Sequence, residues 1–314
     1  MNPARTSTAT PTMPLALEQL ARTVRDCPTS PDSFEDGGSY RIEIPSVEGP
    51  AALQAVIEAA EALGVPLHRV SQGSGITLLQ DAEIRDMASL GAEHGVEVCL
   101  FVGPRAPWEG SASALTPDGK FFGWRHTTIA QLRYAFDDVL RAAELGIRSI
   151  LVADEGLIRL VDQARRAGDL PEDLVMKASA IMGIANPVGA SLLEEAGADT
   201  LNVASDIPAG ELAAFRSACR SPLDLYIESP ENLGGFTRYH EIGEIVRVAA
   251  PVHLKFGLRN APGLYPSGGH LEQAAVSTGR ERVRRAAIGI EALARSGGAT
   301  PSPVGQSRPG VPAA

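Results

Sequence analysis

Two lysines stand in apolar stretches of this chain: Lys177 in Leu-Val-Met-Lys-Ala-Ser and Lys255 in Val-His-Leu-Lys-Phe-Gly. Taking an ammonium out of water lowers its pKa, and a deprotonated amine is the nucleophile that Schiff-base chemistry needs. Left charged, the same lysines would be fixed cations that hold a carboxylate or a developing enolate. The residues favour neither role over the other. Carboxylates able to move a proton occupy comparable settings: Glu43 in Arg-Ile-Glu-Ile, Asp154 and Glu155 in Val-Ala-Asp-Glu-Gly, and Glu228 in Tyr-Ile-Glu-Ser. Asp154 and Glu155 also stand where a helix N-cap would.

Anion binding is the second chemistry the residues suggest. Glu231-Asn232-Leu233-Gly234-Gly235 follows one apolar run, and Arg259-Asn260-Ala261-Pro262 and then Ser267-Gly268-Gly269-His270 follow another. Free N–H groups at Gly-rich turns can cradle an anion, and Arg259 could add a bidentate clamp. Plain turns without a ligand are an equally good reading. Gln72, Arg105 and Asn202 end other apolar runs and complete a polar ring.

The elements that must position these groups alternate without a break. Apolar runs occur at 40–45, 67–71, 97–102, 149–153, 174–178, 200–203, 223–227 and 252–256, and a helical pattern follows each. Several helical patterns end in Gly before the next run, as at Leu63-Gly64-Val65 and His94-Gly95-Val96. Eight such units predict a single-domain (β/α)8 TIM barrel over 40–295, with the carboxyl ends of all strands at one mouth. An open doubly wound sheet is the alternative, but no Gly-x-Gly-x-x-Gly follows the first run. Strand periodicity puts Arg41 with Glu43, Lys177 with Ser179, Asp224 with Tyr226 and Glu228, and His253 with Lys255 on common faces. Closure would then place Lys255 between Glu228 and Glu43. A salt-bridge layer plugging the barrel is the structural alternative, and Arg41, Asp224 and His253, lower in the barrel, read mainly that way.

Residues 1–39 read as a mostly disordered extension with a short helix near 15–24 able to dock as a lid on one end of the fold. Residues 296–314 read as a disordered tail. The net charge of −10 argues against a nucleic-acid partner, and no apolar run is long enough for a membrane span. Nothing at the start resembles a secretory signal. Cys27, Cys99 and Cys219 lack metal or disulfide spacing, which suggests the cytoplasm. His68, His94, His126 and His240 read as surface or loop residues. No metal site and no cofactor are expected, although Glu43, Asp154 and Glu228 are chemically suited to Mg or Mn. Without a Gly-x-Ser-x-Gly elbow, a Ser-His-Asp hydrolase is disfavoured.

The segments HRVSQGSG, EVCLFVGPR, LVADEG, LNVASD, YIESPENLGGF and LKFGLRNAP resemble an actinobacterial group of barrel proteins often filed beside the collagenase-like peptidase family. The resemblance spans about 41–295 and implies the barrel without specifying an activity. The family's signature has a Glu, a His-Gly and closely spaced cysteines that can ligate an iron–sulfur cluster. No such cysteine cluster is present here, so no cluster is expected and no catalytic residue carries over.

Together these observations predict an enzyme acting on a small anionic, phosphorylated or carboxylated, carbonyl metabolite in a lyase, aldolase or isomerase step. Lys177 or Lys255 would activate the carbonyl, and Glu228, Asp154 or Glu43 would move the proton. Gln72, Arg105, Asn202, Glu231, Gly234, Gly235, Arg259 and Asn260 would bind the anion. A peptidase-like hydrolase with a carboxylate- or metal-activated water is the alternative, and a non-catalytic ligand-binding barrel is another. A homo-oligomer is compatible with this fold.

Overall fold

In a computed structural model, residues 14–103, 112–119 and 123–313 are described. Eight parallel strands close in sequence order into a barrel. They are β1 (Tyr40–Pro45), β2 (Leu67–Ser71), β3 (Glu97–Phe101), β4 (Ser149–Val152), β5 (Val175–Ala178), β6 (Thr200–Asn202), β7 (Leu223–Glu228) and β8 (Val252–Phe256). Before them lies helix α1 (Leu15–Asp26). Between and after them lie α2 (Pro50–Leu63), α3 (Asp81–His94), α4 (Ile129–Glu144), α5 (Glu155–Ala167), α6 (Pro187–Ala196), α7 (Ala209–Ala218), α8 (Ile242–Ala249) and α9 (Glu272–Ser296). The expected (β/α)8 barrel is therefore the observed fold, and β1 pairs with β8 to close it.

The aliphatic core lies between the strands and the helical ring. Ile42, Val70, Val98, Ile150, Leu201 and Leu254 of the strands are fully buried with Leu53, Val139, Ile158, Leu212 and Val283 of the helices. Gly64 and Gly95 end α2 and α3 at φ values of 64° and 62°, a left-handed conformation that costs a residue with a Cβ more than it costs glycine. Among the described residues no helix is long and apolar enough to cross a membrane.

The two flanking segments differ from expectation. Helix α1 packs along α7, on the flank of the barrel rather than across an end. A Cβ at Gly210 would lie 2.6 Å from the Val24 carbonyl oxygen, so the missing side chain permits that approach. The segment after Ser296, expected to be disordered, instead crosses the amino-terminal end of the barrel. Pro301 forms a parallel bridge with Tyr40, and the Ser302 N–H donates to the Tyr40 carbonyl at 3.0 Å. Further on, Arg308 Nη2 donates to the His68 carbonyl at 2.7 Å, and Val311 is buried. A Pro- and Ser-rich composition gives this strap little core to bury. Its main chain is held by hydrogen bonds to β1 and β2 instead.

His68, expected at the surface, is wholly buried beneath this strap. Its Nδ1 accepts from the Ile42 N–H at 2.9 Å, which leaves Nε2 to donate to the Ser302 carbonyl at 2.9 Å. That arrangement satisfies a neutral imidazole, and burial holds its pKa down at about 3. Removing residues 299–314 would expose His68 Nε2 to water and free Arg41, whose Nε donates to Ser302 Oγ at 3.0 Å. The truncation is expected to cost about 2–4 kcal/mol in urea unfolding, because several intramolecular hydrogen bonds, each worth roughly 0.5–1.5 kcal/mol net, are lost together. An unchanged midpoint would show that the strap carries no stability.

Candidate active site

Seven titratable side chains from six strands meet inside the barrel, and their arrangement follows from register. Arg41 pairs with His253 and Glu43 with Lys255 across β1 and β8, while Asp224 pairs with His253 and Tyr226 with Lys255 across β7 and β8. The lower level holds Arg69, whose Nε lies 2.8 Å from Glu97 Oε1 and whose Nη1 lies 3.0 Å from Asp224 Oδ1. His253 Nδ1 is 2.8 Å from Asp224 Oδ1. Above it, the Lys177 ammonium is bonded to Glu43 and lies 3.4 Å from Asp224 Oδ2. Lys255 tops the stack, 3.4 Å from Glu43 Oε1 and bonded to Asn202 Oδ1. Ser71 donates to Glu43, Ser149 to Glu97 at 2.7 Å and Thr200 to Asp224 at 2.9 Å.

Three carboxylates, Glu43, Glu97 and Asp224, thus face three cations, Arg69, Lys177 and Lys255. Burial pushes the Glu43 carboxyl up, but Lys177, Lys255 and Arg69 outweigh it and hold the group at about 2. Asp224 is held well below the usual carboxylate range, burial again being outweighed, by Lys177, Arg69 and His253. Burial lowers Lys177, although Asp224 and Glu43 oppose that shift. Burial and the Arg69 charge hold His253 near 4, so it is neutral at pH 7.

Above this layer, at the carboxyl ends of the strands, opens a cavity of about 450 Å³. Lys255 and Tyr226 reach it from β8 and β7, Ser46 from the end of β1, Ser179 from the end of β5 and Tyr265 from the loop after β8. The Lys255 Nζ lies 4.3 Å from the Tyr226 ring centroid, and the Tyr265 hydroxyl is hydrogen-bonded to Ser46 Oγ. A Cβ on Gly73 would meet the Tyr265 ring at 2.5 Å, so the glycine lets the tyrosine lie over the turn after β2. Arg282 of α9 lines the same cavity. It is 4% exposed, its Nη1 donates to Thr278 Oγ1 at 3.1 Å, and its Nε has no hydrogen-bond partner among the described residues.

The expected site residues separate into three groups. Lys255 lines the cavity, and Glu231 and Asn260 line it too, while Asn202, bonded to Lys255, and Glu43 lie beneath in the buried interior. Lys177 is enclosed in the ion layer, where burial lowers its pKa, and it does not line the cavity. Glu228 does not join Lys255. The strand register shifts between Tyr226 and Glu228, and this bulge turns the carboxylate outward. There it accepts from Tyr239 at 2.7 Å and from the Arg259 N–H at 3.0 Å.

The remaining groups are engaged locally. Asp154 caps α5 by accepting from the Leu157 N–H at 2.9 Å. Gln72 Oε1 accepts from the Gly75 N–H at 3.1 Å and holds its own turn. The Gly234 and Gly235 N–H groups donate to the Glu231 and Pro230 carbonyls, so the expected anion cradle is closed. Glu231 accepts from the Asn260 N–H at 3.2 Å and lies 3.6 Å from Arg259, both side chains half-exposed. Likewise the Gly73 and Ser74 N–H groups donate to Glu48 at 2.7 and 3.1 Å. Arg105 lies outside the described residues. Glu43, Asp154 and Glu228 occupy three separate settings. Among the described residues no group of His, Cys, Asp or Glu is arranged to hold a metal ion.

Sequence reasoning missed Arg69, Glu97 and Arg282. Arg282 carried one usable signal: it shares the helix face of Ala275, Gly279, Val283 and Ala286, the buried face of α9.

Fold and site define a (β/α)8 barrel of the TIM type, with a charge-balanced interior beneath a carboxyl-end cavity. No family model and no curated protein matches the chain. Among solved structures it is similar to a U32 peptidase at 19% identity, covering 63% of this chain and 73% of that one with a TM-score of 0.41. It is also similar to a protein described as a lyase/mutase from Burkholderia cenocepacia, at 16% identity, 83% and 85% coverage and a TM-score of 0.44. A KDPGal structure aligns at 13% identity, 82% and 95% coverage and a TM-score of 0.46.

Breaking the ion layer leaves a buried charge unpaired. Lys177→Met or Asp224→Asn is expected to cost about 3–5 kcal/mol in chemical denaturation. The pH dependence has a definite sign. Glu43 titrates near 2 in the folded chain against an ordinary 4.5, and His253 near 4 and His68 near 3 against 6.5. The unfolded chain therefore binds more protons below about pH 6.5, so stability is complete above that pH and is lost progressively as pH falls toward 2. Calorimetric melting temperatures from pH 7.5 to 3 check this, and a flat profile would contradict the layer as described.

Proposed function

We propose that this chain is a barrel enzyme whose carboxyl-end cavity takes a small anionic carbonyl metabolite and carries out a lyase, aldolase or isomerase step. The observation that carries this reading is that Lys255 and Arg282, the latter buried with an Nε that has no partner among the described residues, line one cavity. A buried guanidinium N–H without an acceptor favours an anionic ligand that supplies one. Arg282 would hold the carboxylate or phosphate. Lys255, 3.4 Å from Glu43 Oε1 and bonded to Asn202, would act as a fixed cation at the carbonyl oxygen.

In an isomerase step a proton leaves the carbon next to the carbonyl and its electron pair moves onto the oxygen facing Lys255. In a lyase or aldolase step the C–C bond breaks and the pair moves the same way. The Tyr265–Ser46 hydroxyl pair stands in the same wall and would relay the proton to the Glu48 carboxylate, whose charge acts on Tyr265 and whose basicity burial raises. This scheme requires no resident cofactor. A peptidase-like hydrolase gains no support from the site, because Asp154 and Glu228 are committed elsewhere and Glu43 lies beneath Lys255.

A thermal-shift panel of carboxylated and phosphorylated metabolites tests the reading on wild type, Lys255→Met and Arg282→Gln. A ligand present at about 100 times its Kd stabilises the native chain by about 2.7 kcal/mol, and either substitution is expected to abolish that shift. Should no member of the panel raise the melting temperature, the non-catalytic barrel becomes the better account. Borohydride added with the stabilising carbonyl ligand is expected to trap no adduct by mass spectrometry, because Lys255 acts as a cation. An adduct on Lys255 would make it the nucleophile instead.

A further inference from the structure

The mouth cavity is two-sided. Lys255, Arg282, Ser46, Tyr226 and Tyr265 belong to β7, β8, the end of β1 and the segments next to them. Phe101 at the end of β3, Leu151 of β4, Ile181 after β5 and Trp124 also line it. Because the strands run in order around the closed barrel, β3, β4 and β5 stand across the mouth from β7, β8 and β1. Trp124 and Phe101 meet edge to face, with ring centroids 6.2 Å apart at 83°. The cations Lys255 and Arg282 therefore stand on one side, beside Leu258 and Leu264, and the opposite side, apart from the Ser179 hydroxyl, offers an aromatic and aliphatic wall.

Such a division fits a ligand divided in the same way. A three-carbon phosphate held at Arg282 and Lys255 would leave the far wall facing water within a cavity of about 450 Å³. Apolar lining is where a binding site gains most of its affinity, while a few placed polar groups fix orientation. We propose that the ligand is an amphipathic acid. One carboxylate or phosphate sits at Arg282 and Lys255, and an apolar body about the size of a phenyl ring lies against Phe101, Trp124, Leu151 and Ile181. This rests on the reading of the mouth as the ligand site and specifies its substrate class: aryl or branched-alkyl 2-oxo acids and their phosphate counterparts, rather than short polar ones.

Calorimetric titration of the full chain with matched probes tests it. Phenylpyruvate is expected to bind at least about tenfold more tightly than pyruvate, the gain that burying a side-chain-sized apolar group gives. Trp124→Ala should bring that ratio toward one without weakening pyruvate, and Arg282→Gln should weaken both acids alike. If Trp124→Ala does not fold by circular dichroism, Ile181→Ser serves in its place. Equal affinity for the two acids would overturn this inference and leave the proposed function standing. Equal binding of phenylpyruvate and the neutral 3-phenylpropanol would show an apolar pocket without anion recognition and overturn both. Absence of binding by every acid, short or aryl, would also overturn both.

Discussion

Everything above and below it depends on the layer in which Glu43, Glu97 and Asp224 face Arg69, Lys177 and Lys255 inside the barrel. An ion moved out of water costs several kcal/mol unless it finds partners of good geometry. Here each carboxylate meets at least one cation and also accepts from a hydroxyl: Ser71 for Glu43, Ser149 for Glu97 and Thr200 for Asp224. Those hydroxyls come from β2, β4 and β6, so the layer ties odd strands to even ones around the circle. It adds side-chain constraints on strand register to those of the backbone ladder. A slip of one residue in any strand would send its charge into the aliphatic zone beneath the helices.

The same layer makes the two lysines unequal. Lys177 is spent on Glu43 and Asp224 and touches nothing beyond the interior. Lys255 sits one step higher, shares Glu43, and presents its ammonium to the mouth with Asn202 to hold it. Beneath it lies a carboxylate that its neighbouring cations hold ionised. In the proposed reading Lys255 acts as a preorganised cation. Arg282 adds a second positive group from the wall, carried by a helix that packs on α2 and against β8. The mouth thus joins one cation anchored in the barrel interior to another anchored in the helical ring.

The barrel was legible because its signal is long and repeated: eight apolar runs, each followed by a 3.6-residue pattern. The strap after Ser296 was not, because it is held by main-chain bonds and buried serine rather than by an apolar pattern. Asp224 and His253, placed low in the barrel by strand alternation, lie in the buried ion layer, whereas Arg41 turns to Asp36 and Ser302. Glu228 did not, since a single-residue bulge reverses the face on which it emerges, and alternation carries no trace of a bulge. Arg69 lies in Leu-His-Arg-Val-Ser, which reads as a half-exposed strand although all five residues are buried. Arg282 stands among Arg280, Arg284 and Arg285, so composition hides the one whose side chain turns inward. Lys177 and Lys255 sit in equivalent local sequence, and only the closed three-dimensional ring tells which of them meets solvent.

If Arg282 and Lys255 form one anion-binding mouth, as proposed, the buried Arg282 guanidinium reports on it. Nitrogen-15 spectra of arginine side chains, with the resonance assigned by its loss in Arg282→Lys, would follow that group as a carboxylate ligand is added. The account expects this signal to shift and saturate, and Lys255→Met to weaken the titration. A signal that stays fixed while the ligand demonstrably binds would place recognition elsewhere in the molecule and contradict the account.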